Sequence, residues 1–413
     1  MGRITKGVAA IAAIAGVAGA GGCGAKPEVT RSPAALRTVY TAMPLGPESD
    51  PAGQDIVDAQ RMAIAERGGW AGAFRVRLIA RTSADAFGGP SPELVISAAQ
   101  EAARSDNSLA YIGNYTSTQT AAAAPILNRA ELVQVTPTST AVSLTATAPG
   151  STRPPRAVAP TGIRTLVRLA PSDAAQAQAT VAYMQEESVK RLAIADDGDI
   201  YGRGLADDVA RDARKAGIRV AGRVRIEDPS PKASAKRAVA LAPDALFIGA
   251  NSSPAAKSFI KAFTQSNPEA LIFLPDGLSE RPLLRALGDA ELRTYVTNFV
   301  LPVSYYGPRG VRFVDRFRSR YRRDPSPFAL YGFEAMSLVL DAIEAMPSGN
   351  GLGLLGQRRF VARRILSTQD RAAAIGSYSV TPTGDVDTGL YGAFRVEDGR
   401  LVRGRAVTIG ATR

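Results

Sequence analysis

The sequence has no histidine and only one cysteine, Cys23, among its 413 residues. These absences exclude catalysis by histidine, a zinc site built from cysteine and histidine, and any disulfide within the chain. A phosphate-binding loop of the Walker type and the Gly-x-Ser-x-Gly turn of serine hydrolases are also missing. We therefore predict no catalytic residues, no metal site and no cofactor, and we expect a protein that is not an enzyme.

Length and composition favour a folded protein with more than one core. A chain of 413 residues with 45% hydrophobic residues can form two sizeable domains and does not have the composition of a disordered protein. The formal charge is +12, but the 50 basic and 38 acidic residues are interleaved along the chain. A basic surface that faces an anionic membrane or cell wall explains this charge as well as nucleic-acid binding does. We therefore predict no nucleic-acid partner.

The start of the chain has the pattern of a secretory signal peptide. Two basic residues precede an apolar run at 8–20, which is too short and too rich in glycine for a good membrane span. The residues that end at Cys23 resemble the bacterial lipoprotein signal, in which cleavage leaves a lipid-modified cysteine at the new N-terminus. The alternative is an ordinary signal peptide with an incidental cysteine. We predict a lipoprotein signal peptide at 1–22, lipid on Cys23 and a flexible tether at 23–36.

From residue 38 onward, the hydrophobic pattern alternates between strands and helices. The predicted strands are 38–43, 74–80, 109–112, 132–135, 166–169, 191–195, 218–226, 245–248 and 271–274. The predicted helices are 53–67, 91–104, an alanine-rich segment that ends at Arg129, 171–187, 205–216, 310–321 and 328–346, and two β-like segments follow at 391–396 and 401–409. A proline-rich loop at 146–161 separates two series of this kind. The order predicts an α/β protein with two doubly wound lobes.

Two neighbouring strands of the first series end in loops rich in serine and threonine. Gly113 permits a tight exit from its strand, and the hydroxyl-rich residues 114–120 can cap the next helix. The following strand ends in a similar segment, 136–140, and parallel strands bring both loops to one edge of the sheet. Free N–H groups at a helix start favour an anion, especially a carboxylate. The alternative is that these hydroxyl groups serve only as caps and turn formers.

Two other motifs do not support a nucleotide or a metal site. Residues 351–356 have the spacing of a dinucleotide fingerprint, but they follow a turn and not a strand. The acidic run at 196–199 lacks the ligand spacing of a calcium loop. We interpret residues 196–204 as a polar loop at the end of a strand.

Several short motifs occur together in the order found in one family. They are PLGP at 44–47, GNYTS at 113–117, TPTST at 136–140, RLAPSD at 168–173, YG at 201–202 and LPDG at 274–277. The chain thereby resembles the bacterial extracellular solute-binding proteins of the branched-chain amino acid (Leu/Ile/Val-binding) type, which have the periplasmic binding protein type 1 fold. The resemblance implies two Rossmann-like lobes, three crossovers near residues 170, 300 and 381, and a ligand cleft between the lobes.

The resemblance also implies how the chain is divided between the lobes. The N-terminal lobe would consist of residues 37–169 plus 300–381. The C-terminal lobe would consist of residues 170–299 plus 382–413. Each lobe would therefore contain more than one segment of the chain.

Five residues are implied as ligand contacts by the same resemblance. Ser117 occupies the position of the first-lobe residue that holds the ligand carboxylate, and Ser139 and Thr140 would add hydroxyl and main-chain contacts. Tyr201 matches the second-lobe tyrosine that closes over the ligand, and Asp276 matches an acidic residue that receives the ammonium group. The alternative for Asp276 is that it only shapes a Pro-Asp-Gly turn.

The sequence departs from the family pattern at two places in the implied cleft. Thr116 replaces a cysteine that some members have, so no disulfide forms there. Pro51 and Ala52 occupy the region where an aromatic residue can form a wall of the side-chain pocket. The resemblance therefore does not identify the ligand.

The function implied is that of an extracytoplasmic solute-binding lipoprotein of an ABC importer, which binds an amino acid or a similar small zwitterion. Its partners would be the small-molecule ligand, the ABC permease and, through the lipid anchor, the cell membrane, and we expect a monomer. Two alternatives stay open because this fold serves several functions. They are a sensory or regulatory ligand-binding protein, and an envelope enzyme in which aspartate and tyrosine in the cleft act as acid and base.

Overall fold

The structure, a computed structural model, describes residues 35–147, 151–347 and 351–409. The predicted signal peptide, Cys23 and the tether up to residue 34 lie outside the described residues. The strands and helices are, in chain order, β1 (Leu36–Met43), α1 (Pro51–Glu66), β2 (Trp70–Ala71), β3 (Phe74–Thr82), α2 (Pro92–Arg104), β4 (Ser108–Ile112), α3 (Ser117–Arg129), β5 (Val133–Thr136), β6 (Leu166–Arg168), α4 (Asp173–Glu186), β7 (Arg191–Asp196), α5 (Ile200–Lys215), β8 (Arg219–Arg225), α6 (Pro231–Ala240), β9 (Ala245–Gly249), α7 (Pro254–Ser266), β10 (Leu271–Leu274), α8 (Arg281–Arg285), β11 (Thr294–Asn298), α9 (Gly307–Tyr321), α10 (Ala329–Glu344), α11 (Leu354–Leu366), β12 (Arg371–Ala373), β13 (Gly376–Tyr378), β14 (Leu390–Glu397) and β15 (Arg400–Thr408). Short 3₁₀ segments lie at Val142–Leu144, Asp276–Leu278, Gly288–Arg293 and Val303–Tyr306.

The first sheet has six strands in the order β2-β3-β1-β4-β5-β6. All neighbouring strands in it are parallel except β2, which is antiparallel to β3. Side chains of β1 alternate between the two faces: Val39 and Met43 pack with α1, whereas Tyr40 and Ala42 pack with α2 and α3. Helices on both faces bury the whole of β4 and β5, as expected for a parallel sheet.

The second sheet has seven strands in the order β15-β14-β11-β10-β9-β7-β8. The strands from β8 to β11 are parallel, and β14 and β15 add an antiparallel edge. Phe259 and Phe263 of α7 are fully buried against this sheet, together with Leu246 and Ile248 of β9. The predicted α/β fold with two Rossmann-like lobes is therefore confirmed, and we call the first sheet with its helices the first lobe and the second sheet with its helices the second lobe.

The chain passes three times from one lobe to the other. The first passage lies between β6 and α4, and the second lies between β11 and α9, after which α10 and α11 pack on the first lobe. The third passage lies between β13 and β14. The three predicted crossovers are thus present, while the exact residue boundaries assigned to the lobes stay a prediction.

Three segments differ from the secondary structure that the sequence predicts. The predicted loop at 196–204 is wrong in its second half, because Asp199 caps α5 by accepting a hydrogen bond from the N–H of Ile200. Strand β11 was not predicted because its sequence, TYVTN, is largely polar, yet all five of its residues are buried. Helix α11 was not predicted because a glycine-rich segment, 351–356, overlaps its start.

Within the described ranges, no helix is both long enough and apolar enough to cross a membrane.

Candidate ligand-binding cleft

Residues that follow the carboxyl ends of strands in both lobes line one cavity of about 240 Å³. This edge of the strands is where open α/β sheets place their ligand sites. Contributions from the first lobe include Asp50, Tyr115, Thr116, Ser117, Thr118, Thr140 and Phe328. Contributions from the second lobe include Asp199, Tyr201, Asn251, Ser252, Asp276 and Glu280. We call this cavity the cleft.

The start of α3 forms one wall of the cleft. Thr116 caps this helix, and the side chain of Gln119 reaches back to the N–H of Thr116 in a capping box, with both hydrogen bonds at 3.4 Å. The side-chain nitrogen of Gln119 also donates to the carbonyl of Ser83 at 2.8 Å, which holds the start of α3 in place. The N–H groups of the first turn have no partner inside the helix, so this wall presents donors and the positive end of the helix dipole.

Ser117 joins the two hydroxyl-rich loops. Its side chain is buried, and its hydroxyl oxygen accepts hydrogen bonds at 3.2 Å from the N–H groups of both Thr140 and Ala141. These bonds tie the loop after β4 to the loop after β5. Thr140 lines the cleft beside Ser117. The sequence prediction that both loops meet at one edge of the sheet is correct in this respect.

Tyr201 and Asp276 form a buried pair on the opposite wall. The hydroxyl of Tyr201 donates to Asp276 Oδ1 at 3.1 Å and accepts from the N–H of Gly277 at 3.3 Å. Only 7% of Asp276 is exposed, and burial raises the pKa of its carboxyl group to about 6. Burial and the nearby charge of Asp276 also raise the pKa of Tyr201 well above its ordinary value. Tyr201 therefore stays a neutral donor at physiological pH.

A second acidic pair lies between the lobes. Asp50 caps α1 by accepting from the N–H of Ala52 at 2.9 Å, and its other oxygen accepts a hydrogen bond from the hydroxyl of Tyr115. Glu280 lies just before α8 on the second lobe. Burial and then the charge of Asp50 raise the pKa of Glu280 to about 7, while Ser252 and Lys257 oppose this shift. The charge of Asp50 on the first lobe thus acts on Glu280 on the second lobe, and both residues line the cleft.

The lobes also touch at the mouth of the cleft. The hydroxyl of Thr118, in the first turn of α3, donates to the carboxylate of Asp199, the residue that caps α5. Because the two residues belong to different lobes, this hydrogen bond exists only when the lobes are close together. The two lobes are therefore in contact at this point.

The sequence matches a model of a known protein family. The family model described as "Periplasmic binding protein" matches residues 42–381. The chain belongs to this family. A search of curated protein sequences gave no match.

Several solved structures share the fold of this family member. The leucine-binding protein LivK from Thermotoga maritima is 20% identical, with a TM-score of 0.74 over 90% of this chain and 99% of that chain. A substrate-binding protein of an ABC transporter from Desulfitobacterium hafniense, solved in complex with Leu, is 22% identical, with a TM-score of 0.70 over 90% and 100% of the two chains. A solute-binding protein of an ABC transporter from R. palustris, solved with 4-hydroxybenzoate, is 18% identical, with a TM-score of 0.74 over 91% and 97%. At these identities the likeness shows the fold.

Four of the five predicted contact residues of this binding protein meet in the cleft, namely Ser117, Thr140, Tyr201 and Asp276. Ser139 lies behind the wall: its hydroxyl is 2.7 Å from that of Thr120 and donates to the carbonyl of Asn114 at 3.2 Å. Because Ser139 is buried in this network, the structure places its side chain in the support of the loop and not among the groups that line the cleft.

Asp50, Phe328 and Glu280 are among the residues of the cleft that were not predicted as ligand contacts. Asp50 had a signal in the sequence, since an aspartate before a proline is a common helix start and this one follows the first strand. Phe328 and Glu280 had none, because they reach the cleft only through the tertiary fold. The ring of Phe328 lies 5.2 Å from that of Phe299 and 6.0 Å from that of Tyr115. Tyr115 and Phe328 thus form an aromatic wall of the cleft, and Phe299 packs against Phe328.

Proposed function

We propose that this protein is an extracytoplasmic solute-binding lipoprotein of an ABC importer and that its ligand is an amino acid or a similar small zwitterion. The observation that carries the proposal is the buried carboxylate of Asp276, which faces the cleft beside the hydroxyl of Tyr201. A buried carboxylate is costly unless a positive group neutralises it. Within the described residues, no lysine or arginine lines the cleft, so a ligand ammonium group would supply that charge.

The opposite wall supports the second half of a zwitterion. The start of α3 presents N–H groups near Ser117 and Thr118, and this end of a helix favours negative charge. A ligand carboxylate bound there would receive neutral donors and would need no basic side chain. The two walls belong to different lobes, so a ligand that satisfies both would stabilise the closed cleft.

The size and charge of the cleft narrow the ligand further. Its volume of about 240 Å³ is below the range of roughly 300–1,000 Å³ that is common for pockets of drug-sized ligands, so a small molecule is expected. Related structures were solved with Leu and with 4-hydroxybenzoate. Of these two ligands, only the amino acid has a positive group that can bind to Asp276, and we therefore favour an amino acid.

The membrane anchor belongs to the same proposal. Lipid on Cys23 would hold the protein at the outer face of the membrane, near the permease it serves. Replacing Cys23 with alanine should release the protein from the membrane fraction into the soluble fraction. If the variant stayed in the membrane fraction after a salt wash, the anchor would be wrong while the ligand proposal would be unaffected.

Calorimetry with a panel of ligands tests the proposed ligand class. The panel consists of L-amino acids, their amides, the corresponding decarboxylated amines, and benzoate as an acid without an amino group. We expect an amino acid to bind at least about tenfold more tightly than its own amide, its amine or benzoate. Each of these analogues lacks either the ammonium group that would pair with Asp276 or the carboxylate that would bind at the start of α3. A best ligand that lacks an amino group would contradict the proposal.

Transport is tested separately in cells. Deleting the gene should abolish high-affinity uptake of the amino acid that binds the purified protein. Unchanged uptake, with altered expression of other genes in response to that amino acid, would instead favour a sensory role.

A further inference from the structure

The charges that line the cleft are all of one sign. Four carboxyl groups line it, those of Asp50, Asp199, Asp276 and Glu280, and among the described residues that line it there is no basic side chain. Asp199 has protein partners for its carboxylate, since it accepts from Thr118 and from the N–H of Ile200. A single ammonium group at Asp276 would leave the pair of Asp50 and Glu280 without a positive charge.

This second pair is built from both lobes. Asp50 is held in place on the first lobe by the N–H of Ala52 and the hydroxyl of Tyr115. Glu280 lies on the second lobe, at the start of α8. Two like charges brought together by closure repel each other unless a proton or another cation lies between them. Lys257 is a basic side chain whose charge lowers the pKa of Glu280, but it is exposed and does not line the cleft.

We propose that the ligand carries a second cationic group, an ammonium or guanidinium on its side chain, and that this group binds between the carboxylates of Asp50 and Glu280. The inference rests on the proposed function, because it assigns the side chain of the zwitterion that Asp276 and the start of α3 would hold. The bound cation replaces the repulsion between the lobes with two attractive contacts. A diamino or guanidino acid therefore closes the cleft better than an amino acid with an aliphatic side chain.

The surroundings of the pair suit a side chain of this kind. Tyr115 donates its hydroxyl to Asp50, and its ring packs edge-on against Phe328, which also lines the cleft. Aromatic rings accept both the methylene groups of a long basic side chain and its charged end. Burial and then the nearby charges of Asp50, Glu280 and Asp276 raise the pKa of Tyr115 well above its ordinary value, and all four residues line the cleft. One small ligand can thus reach both acidic positions.

Calorimetry with two matched probes tests this inference. L-lysine and L-norleucine share one carbon chain, and only L-lysine has the terminal amino group. We expect L-lysine to bind at least about tenfold more tightly. In the Glu280→Gln variant, we expect L-lysine to lose at least about tenfold in affinity while L-norleucine changes by less than about threefold. The Glu269→Gln variant is the control, since Glu269 is exposed and precedes β10 at the opposite edge of the sheet.

The outcomes separate this inference from the proposed function. Equal binding of L-lysine and L-norleucine would overturn the inference and leave the proposed function intact. The inference would also be overturned if Glu280→Gln weakened L-norleucine binding as much as L-lysine binding. Glu280 would then affect the structure of the cleft and not the side chain of the ligand. Cadaverine is the decarboxylated analogue of L-lysine. If it bound as tightly as L-lysine, this result would support the second cation position but contradict the proposed binding of a ligand carboxylate at the start of α3.

Discussion

Replacing Asp276 with asparagine removes the charge of this one carboxylate and little else. The turn that contains Asp276 is held by main-chain hydrogen bonds, from the N–H of Leu278 to the carbonyl of Pro275 and from the N–H of Ser279 to the carbonyl of Asp276, each at 3.0 Å. The asparagine oxygen can still accept from Tyr201. The interpretation that Asp276 only shapes the turn therefore predicts little change in ligand binding.

The proposed role predicts a large change. Asp276 is 7% exposed, so an ammonium group bound to it would be removed from water with it. Removing one partner of such a charge pair costs about 2–5 kcal/mol of binding free energy, which corresponds to roughly 30-fold to 5,000-fold weaker binding. We expect a value near the lower end, because asparagine keeps one acceptor.

Calorimetry with the tightest-binding amino acid of the panel measures this change. Thermal unfolding of the variant shows whether the fold is intact. Asp289→Asn is the matched control, because Asp289 is exposed in the segment before β11, at the edge of the sheet opposite the cleft. An Asp276→Asn protein that binds the amino acid as tightly as the parent protein would refute the assigned role.

Three further predictions concern stability and closure. Arg168→Met should lower the free energy of unfolding by about 3–5 kcal/mol, because the fully buried Arg168 pairs with Asp385 at 2.6 Å, and an unchanged denaturation midpoint would contradict this. The melting temperature without ligand should fall as pH rises from about 4 to about 7. Asp276 and Glu280 have pKa values of about 6 and about 7 in the folded protein, so they retain protons that the unfolded chain has already lost in this range. A melting temperature that does not change with pH would argue against this prediction. A saturating amino acid should reduce the radius of gyration in X-ray scattering, and identical profiles would exclude closure.

The fold was predictable because its signals are local. Apolar runs such as 109–112 define buried strands, and Ser91 and Thr116 are helix caps that can be recognised from the sequence. Strand β11 was missed because its sequence is largely polar and its burial depends on β10, β14 and α4. Local pattern therefore accounts for the elements that were predicted correctly, and tertiary context accounts for β11.

The cleft was predictable only in part. The positions of Ser117 and Asp276 followed from strand ends and family motifs, since parallel strands bring their carboxyl ends together. The inward orientation of Ser139 could not be foreseen, because it depends on a hydrogen bond to Thr120 nineteen positions earlier in the chain. Glu280 was missed because only the tertiary fold brings it to the cleft, which it lines together with Asp50 of the other lobe.

A crystal structure of the complex with the tightest-binding amino acid tests the central claim most directly. The account predicts that the ammonium group lies within hydrogen-bond distance of the carboxylate of Asp276 and the hydroxyl of Tyr201. It also predicts that the ligand carboxylate lies at the N–H groups of Ser117 and Thr118. A ligand bound with its carboxylate on the second lobe, or outside the cleft, would contradict the account.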